Sequence, residues 1–138
     1  MAEDYVNRRY PLSDLTSRII AAAHEVHYQL GPGFREVIYQ RALERELPQQ
    51  GVEFEREVWI DIIYKGQNIG RHRVDFVVGD AEGGVMRELK AKALLDDVDS
   101  IQTVSYLKSS GYEVGLLINF GGKKLEVRRL ANSKKPIS

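Results

Sequence analysis

From Ser13 to Leu30 the apolar positions Leu15, Ile19, Ala22, Ala23, Val26 and Leu30 recur at helical spacing, with Ser13 placed as N-cap after Pro11 and Gly31 ending the run. The same period resumes from Phe34 to about Leu47 through Val37, Ile38, Ala42 and Leu43, so Gly31-Pro32-Gly33 breaks a helix pair. After Gly51 the pattern changes. Val58-Trp59-Ile60-Asp61-Ile62-Ile63-Tyr64 is β-branched and aromatic, Lys65 to Asn68 reads as a turn, and Arg71 to Val78 forms a second strand. Val85 to Lys90 is a third, joined to the second by the polar loop from Gly79 to Gly84 as in a meander. Asp97 to Ser110 is helical, with Val98, Ile101, Ser105 and Leu107 towards one side and Gly111 as C-cap. Val114 to Ile118 is almost wholly apolar, the mark of a buried central strand, and Lys124 to Leu130 alternates as an edge strand would.

The order is helix, helix, three strands, helix, two strands. Strands on both sides of a helix predict an α/β domain with a mixed central sheet of four or five strands and helices on both faces. At 138 residues the chain fits one domain, 1–138, and its 43% hydrophobic and 29% charged residues are those of a globular protein. No apolar run approaches the ~20 residues of a bilayer crossing. Met1-Ala2-Glu3-Asp4-Tyr5 is acidic and polar, unlike a secretion signal, so a cytoplasmic location and no membrane partner are expected. The absence of cysteine excludes disulfides, thiolate zinc and a cysteine nucleophile, together with a Cys-ligated iron–sulfur cluster. Any metal must bind through oxygen or imidazole.

Twenty Lys and Arg balance twenty Asp and Glu, which taken alone argues against a nucleic-acid binder. The distribution changes that picture. Between Asp75 and Asp99 seven acids (Asp75, Asp80, Glu82, Glu88, Asp96, Asp97, Asp99) face three bases (Arg87, Lys90, Lys92). From Gly121 onward six bases (Lys123, Lys124, Arg128, Arg129, Lys134, Lys135) face only Glu126. Two solvated surfaces would look like this; so would a metal-dependent enzyme acting on a polyanion.

No Gly-x-Ser-x-Gly elbow or Walker loop occurs, and His24-Glu25-Val26-His27 has its histidines three apart where a zincin helix needs four. Asp75, Glu88 and Lys90 form the more informative set. Glu88 and Lys90 share a strand face, and Asp75 lies in the preceding strand, with Val74 and Phe76 marking the core face and Asp75 the other. Two carboxylates can hold Mg²⁺ or Mn²⁺ while the ammonium neutralises charge or orients a water at a phosphate. The plain alternative is an exposed cross-strand salt bridge, and spacing alone favours it. Glu36 with Tyr39 and Gln102 with Tyr106 each share a helix face and could cover the same site. Glu36 is then a candidate third ligand, Gln102 a hydrogen-bonding group, and Tyr106 a stacking or donating one. Core packing of the tyrosines and a solvated Gln102 are the alternatives.

Gly33-Phe34-Arg35-Glu36-Val37-Ile38-Tyr39 resembles the defining motif of the GxxExxY family, in the PD-(D/E)XK nuclease superfamily. The likeness continues through Tyr64-Lys65-Gly66, Arg73 to Val78, Glu88-Leu89-Lys90-Ala91, Gln102 to Leu107 and Gly115 to Gly121. It is also similar to the RecB-like clade: Glu36, Gly70 with Asp75, Glu88 with Lys90, and Gln102 with Tyr106. Val74 stands where the superfamily name has proline. The resemblance implies a restriction-endonuclease-like fold in ααβββαββ order. It implies metal held by Asp75 and Glu88, assisted by Glu36 and the carbonyl of Leu89, and a Lys90 that positions or activates water. The function it implies is metal-dependent hydrolysis of nucleic acid, DNA ahead of RNA, with Arg71, Arg73, Lys123, Lys124 and Arg128 as backbone contacts. A non-catalytic nucleic-acid- or partner-binding domain retaining the fold is the first alternative, and a structural module with a polar cluster the second. A homodimer is left open.

Overall fold

The computed structural model describes residues 12–78 and 84–132. Asp80, Glu82, Lys134, Lys135 and the N-terminal stretch through Pro11 lie outside the described residues. Helices α1 (Ser13–Leu30) and α2 (Glu36–Glu46) are followed by a 3-10 turn, Leu47–Gln50. Strands β1 (Glu55–Tyr64), β2 (Gln67–Val78) and β3 (Val85–Lys90) come next, then α3 (Asp97–Ser110), β4 (Val114–Asn119) and β5 (Glu126–Ala131). The five strands form one sheet in the order β1-β2-β3-β4-β5. Only β3 and β4 pair in parallel, and α3 is the crossover that this pairing requires. The predicted α/β fold with a mixed sheet and flanking helices is the one found.

Helices cover both faces. Ile19, Ala23 and Val26 of α1 and Tyr39 and Leu43 of α2 pack on Phe76, Val85, Leu89, Leu116 and Ile118. On the α3 side, Ile60, Val74, Val77 and Met86 meet Leu107 and Tyr112. β4 is buried along its whole length, as its unbroken apolar run predicts.

Several local expectations change. Leu12, in the left-handed region at φ 60, caps α1 in place of Ser13, because its carbonyl accepts the first helical bond from Thr16 N at 2.9 Å. The β1–β2 turn is two residues, Lys65 (φ 48) and Gly66 (φ 80), not four. Positive φ at both suits the twist of the flanking strands, so β2 begins at Gln67 rather than Arg71. The ladder shifts between Ile62 and Ile63, and Ile69 drops out of it while Asn68 Oδ1 accepts from Gly70 N at 3.0 Å. In α3 the apolar Val98 and Ile101 face solvent, 69% and 65% exposed, and the buried positions are Asp99, Thr103 and Leu107. Asp99 is turned inward by a capping box with Asp96, by Lys90 at the end of β3 and by Lys92 just beyond it.

Val74 and Phe76 do not share a face. Both are fully buried, but Val74 packs on the α3 side and Phe76 on the α1–α2 side. The alternation breaks between them at Asp75, where Arg56↔Phe76 and Val58↔Val74 pair on either side while Glu57 adopts φ 56.

The turn before α2 is latched by its tyrosine. The Tyr39 hydroxyl donates to Gly31 O at 2.7 Å and accepts from Phe34 N at 3.2 Å, and its buried ring stacks on Phe120 with centroids 4.6 Å apart. Gly33, at φ 113, allows the bend that the latch closes. Tyr39→Phe keeps the stack and loses both bonds; urea denaturation is expected to show a loss of about 1–2 kcal/mol. An unchanged midpoint would show that the latch contributes nothing to the turn.

Candidate active site

β2 and β3 pair only over Phe76↔Arg87, Val77↔Met86 and Val78↔Val85. Beyond Phe76 the strands part, and the Asp75 carboxylate fills the gap, its Oδ2 accepting from Leu89 N at 2.9 Å. This bond takes up the amide that the ended ladder leaves free and sets Asp75 beside the second half of β3. Leu89 itself is a core residue on the α1–α2 side. Glu88 and Lys90 alternate to the opposite side, towards α3, as the strand period predicts.

Glu88 is nearly buried, and its Oε1 is held by His72 Nε2 at 3.1 Å. The His72 ring lies flat on Tyr106 of α3, with centroids 3.6 Å apart and planes 5° from parallel. Gln102, one turn earlier, hydrogen-bonds the Tyr106 hydroxyl. Gln102 and Tyr106 therefore meet as their spacing predicts, and they reach Glu88 through His72. His72 is not marked in the sequence: a lone histidine between Arg71 and Arg73 has no visible purpose until β2, β3 and α3 are assembled. Asp99 was read only as part of an acidic run. Its Oδ2 accepts from Lys92 Nζ at 2.9 Å, and its Oδ1 stands 4.0 Å from Lys90 Nζ. The Asp96-x-x-Asp99 spacing of a capping box was the available signal.

Glu36 opens α2, where the latch on the preceding turn sets its direction, and it is exposed. Electrostatics join it to the rest. Partial burial and then the charge of Asp75 hold its carboxyl above the usual range. Burial raises Asp75, against the opposing Leu89 amide. Burial raises Glu88 as well, with the His72 bond opposing and the Asp75 charge adding. Lys90 acts on all three carboxylates in the stabilising sense. Tyr106 is raised by burial and by the charge of Glu88. Asp75 thus acts on both Glu36 and Glu88, and burial is the largest cause of the rise at all three.

The donor set suits a hard divalent cation. Among the described residues no three His, Asp or Glu side chains stand close enough to enclose a metal. Mg²⁺ needs less than that, because it keeps several waters and takes one or two carboxylates plus substrate phosphate. On the far side of β3, Arg87 is fully buried over the Phe76 ring at 4.5 Å. None of its guanidinium nitrogens has a hydrogen-bond partner in the structure. Burial pulls its pKa down to about 9, and the charge of Asp75 resists the fall.

The basic residues divide. Arg71 lies over the Trp59 ring at 4.6 Å, and Arg73 Nη1 is 3.8 Å from Glu57. Lys123 and Lys124 are exposed beside Ala93 and Leu94. The Arg128 guanidinium is engaged by Asp96 O, Leu95 O and Ser100 Oγ, tying β5 to the start of α3. His27, the second histidine of the near-zincin helix, bonds Gly122 O at 2.9 Å and so ties α1 to the β4–β5 loop. No described helix is long and apolar enough to cross a membrane.

A family model described as the PD-(D/E)XK nuclease superfamily matches residues 13–130. No curated protein and no solved structure matches the chain.

A carboxyl raised on folding is a stability cost when ionised; that cost is full above the folded-state pKa and absent below the unfolded one. Glu88→Gln keeps an acceptor for His72 and removes the charge. In EDTA at pH 8 it is expected to melt a few degrees higher than wild type, the scale of roughly 1 kcal/mol. The difference should shrink as pH falls and vanish below the ordinary glutamate value of 4.5. A variant less stable than wild type at pH 8 would contradict this sign.

Proposed function

The chain belongs to the PD-(D/E)XK nuclease superfamily, and from that membership we propose a metal-dependent phosphodiesterase that hydrolyses nucleic acid at Asp75, Glu88 and Lys90. The observation that carries the reading is the hydrogen bond from Leu89 N to Asp75 Oδ2 at 2.9 Å, which sets the Asp75 carboxylate against the half of β3 that bears Glu88 and Lys90. Burial raises the carboxyls of Glu36, Asp75 and Glu88, and the charge of Lys90 opposes the rise at each.

Asp75 and Glu88 would hold Mg²⁺ or Mn²⁺, with Glu36 and the carbonyl of Leu89 assisting. The bound ion supplies Lewis-acid polarisation of the phosphate and lowers the pKa of water. Lys90 donates to the attacking water and offsets charge that develops on the phosphate oxygens. Asp99 limits the swing of the Lys90 ammonium from the α3 side, while Lys92 takes most of the Asp99 charge. His72 fixes one oxygen of Glu88 and leaves the other as the oxygen that would meet the ion, and the Tyr106 ring with Gln102 positions His72. Arg71, Arg73, Lys123 and Lys124 contact the phosphodiester backbone, and Arg128 supports the surface from β5.

Labelled single- and double-stranded DNA and RNA, incubated with Mg²⁺ or Mn²⁺, are expected to be cut by wild type, DNA faster, and left whole in EDTA. Asp75→Ala and Lys90→Ala should each lose about 10²-fold or more in rate. Cleavage that survives both substitutions would sink the site. Binding without any cleavage would make the chain a non-catalytic nucleic-acid-binding domain. His72→Ala is expected to weaken Mn²⁺ binding by about tenfold in calorimetry; an unchanged affinity would remove its positioning role.

A further inference from the structure

Trp59 is 53% exposed in the middle of a β-strand, where a residue of its size is normally covered. It belongs to the outward row of the β1–β2 hairpin, opposite Arg73 in the ladder, and Ile60 beside it turns inward to the α3 core. Arg71 faces Asp61 across the ladder but lays its guanidinium on the indole, 4.6 Å from the ring centroid. Trp59 also borders an open groove of about 300 Å³, shared with Ile63 and Asp61 of β1 and with Ser109 and Ser110 at the end of α3. At the hairpin tip the arrangement repeats. Tyr64 is 58% exposed, with Lys65 Nζ 5.4 Å from its ring centroid.

Exposed rings interleaved with cations suit unpaired bases, which stack on flat side chains while their phosphates meet positive charge. A duplex hides its base faces and offers a lone indole little to stack on. Arg73, the ladder partner of Trp59, lies two residues from Asp75, about 7 Å along β2. The row of Trp59 and Arg73 lies on the sheet face opposite Ile60 and His72, so a strand stacked on Trp59 would reach Asp75, at the fork between β2 and β3, from the face opposite Glu88 and Lys90. From this placement we infer that Trp59, with Arg71 laid on the ring, is a stacking platform for an unpaired base, so that the substrate is single-stranded nucleic acid or a duplex end with a single-stranded tail. The inference rests on the nucleic-acid reading above and adds the strandedness of the substrate. Asp61 and Glu57 border the same row and set its cationic character to a local one around Arg71 and Arg73.

Trp59 is the chain's one tryptophan, so its emission reports this position alone. The full chain in EDTA, titrated with a single-stranded oligothymidylate, is expected to show saturable quenching, with a blunt duplex binding at least tenfold more weakly. By anisotropy of a labelled strand, Trp59→Ala should lose about tenfold or more in affinity, and Trp59→Phe should recover most of it. Arg71→Ala should weaken quenching while keeping the fluorophore, and circular dichroism melts report that each variant is folded.

Equal affinity for the single strand and the blunt duplex overturns the inference, and so does an unchanged affinity in Trp59→Ala. A dimer in sedimentation that Trp59→Ala disperses without altering oligonucleotide affinity also overturns it, and makes this face an interface between copies. In each of these cases cleavage by wild type leaves the phosphodiesterase reading standing. Loss of single-strand binding in Trp59→Ala, with no cleavage by wild type, leaves the platform standing and removes the hydrolytic reading. Failure of every oligonucleotide to bind wild type removes both.

Discussion

One hydrogen bond, from Leu89 N to Asp75 Oδ2 at 2.9 Å, organises the end of the sheet that carries the candidate site. It stands where the β2–β3 ladder stops at Phe76↔Arg87 and the two strands separate. A split in a sheet leaves amides without acceptors, and a buried amide without a partner costs about as much as a lost hydrogen bond. Asp75 satisfies the amide with a side chain instead of a backbone carbonyl. The carboxylate is thereby fixed against β3 beside Glu88 and Lys90. The same irregularity turns Val74 to one face and Phe76 to the other, so both helical layers anchor the strand within three residues of the site.

The arrangement gathers negative charge in a poorly solvated place. Burial raises all three carboxyls, and the charge of Asp75 adds to the rise at Glu36 and Glu88. Positive groups answer from two directions, Lys90 on the same face as Glu88 and Arg87 within the core on the opposite face, while the His72 ring hydrogen-bonds Glu88. Arg87 donates no hydrogen bond and is held by the Phe76 ring and by the field of Asp75. A buried cation so weakly partnered is destabilising by itself. Its field and that of Asp75 meet across the sheet. Asp99 draws Lys92 into an ion pair and leaves Lys90 at the longer distance of 4.0 Å.

The order of elements, the sheet and both helical layers were legible because apolar periodicity is strong from Ser13 to Leu30 and in the β-branched runs. The shared face of Glu88 and Lys90 followed from the strand period alone. The Glu36–Tyr39 pair was legible as a pair but not in its division of labour: Tyr39 is a latch on the turn, and Glu36 is the residue that the latch aims. What the sequence hid depends on irregularity or on contacts between distant segments. The face swap at Asp75 breaks the alternation from which its orientation was read. His72 acquires its role from Glu88, sixteen residues away, and from Tyr106 on another element. The inner face of α3 is polar at Asp99 and Thr103, so its apolar residues, Val98 and Ile101, pointed to the wrong side.

The central claim is that the carboxylates around Asp75 form a divalent-metal site. Anomalous scattering from crystals soaked in MnCl2 tests it most directly. The account predicts one dominant peak bound to both Asp75 and Glu88 at about 2.1 Å, the distance of a small hard cation from carboxylate oxygen. A peak bound elsewhere, or none at these carboxylates at millimolar Mn²⁺, would contradict it.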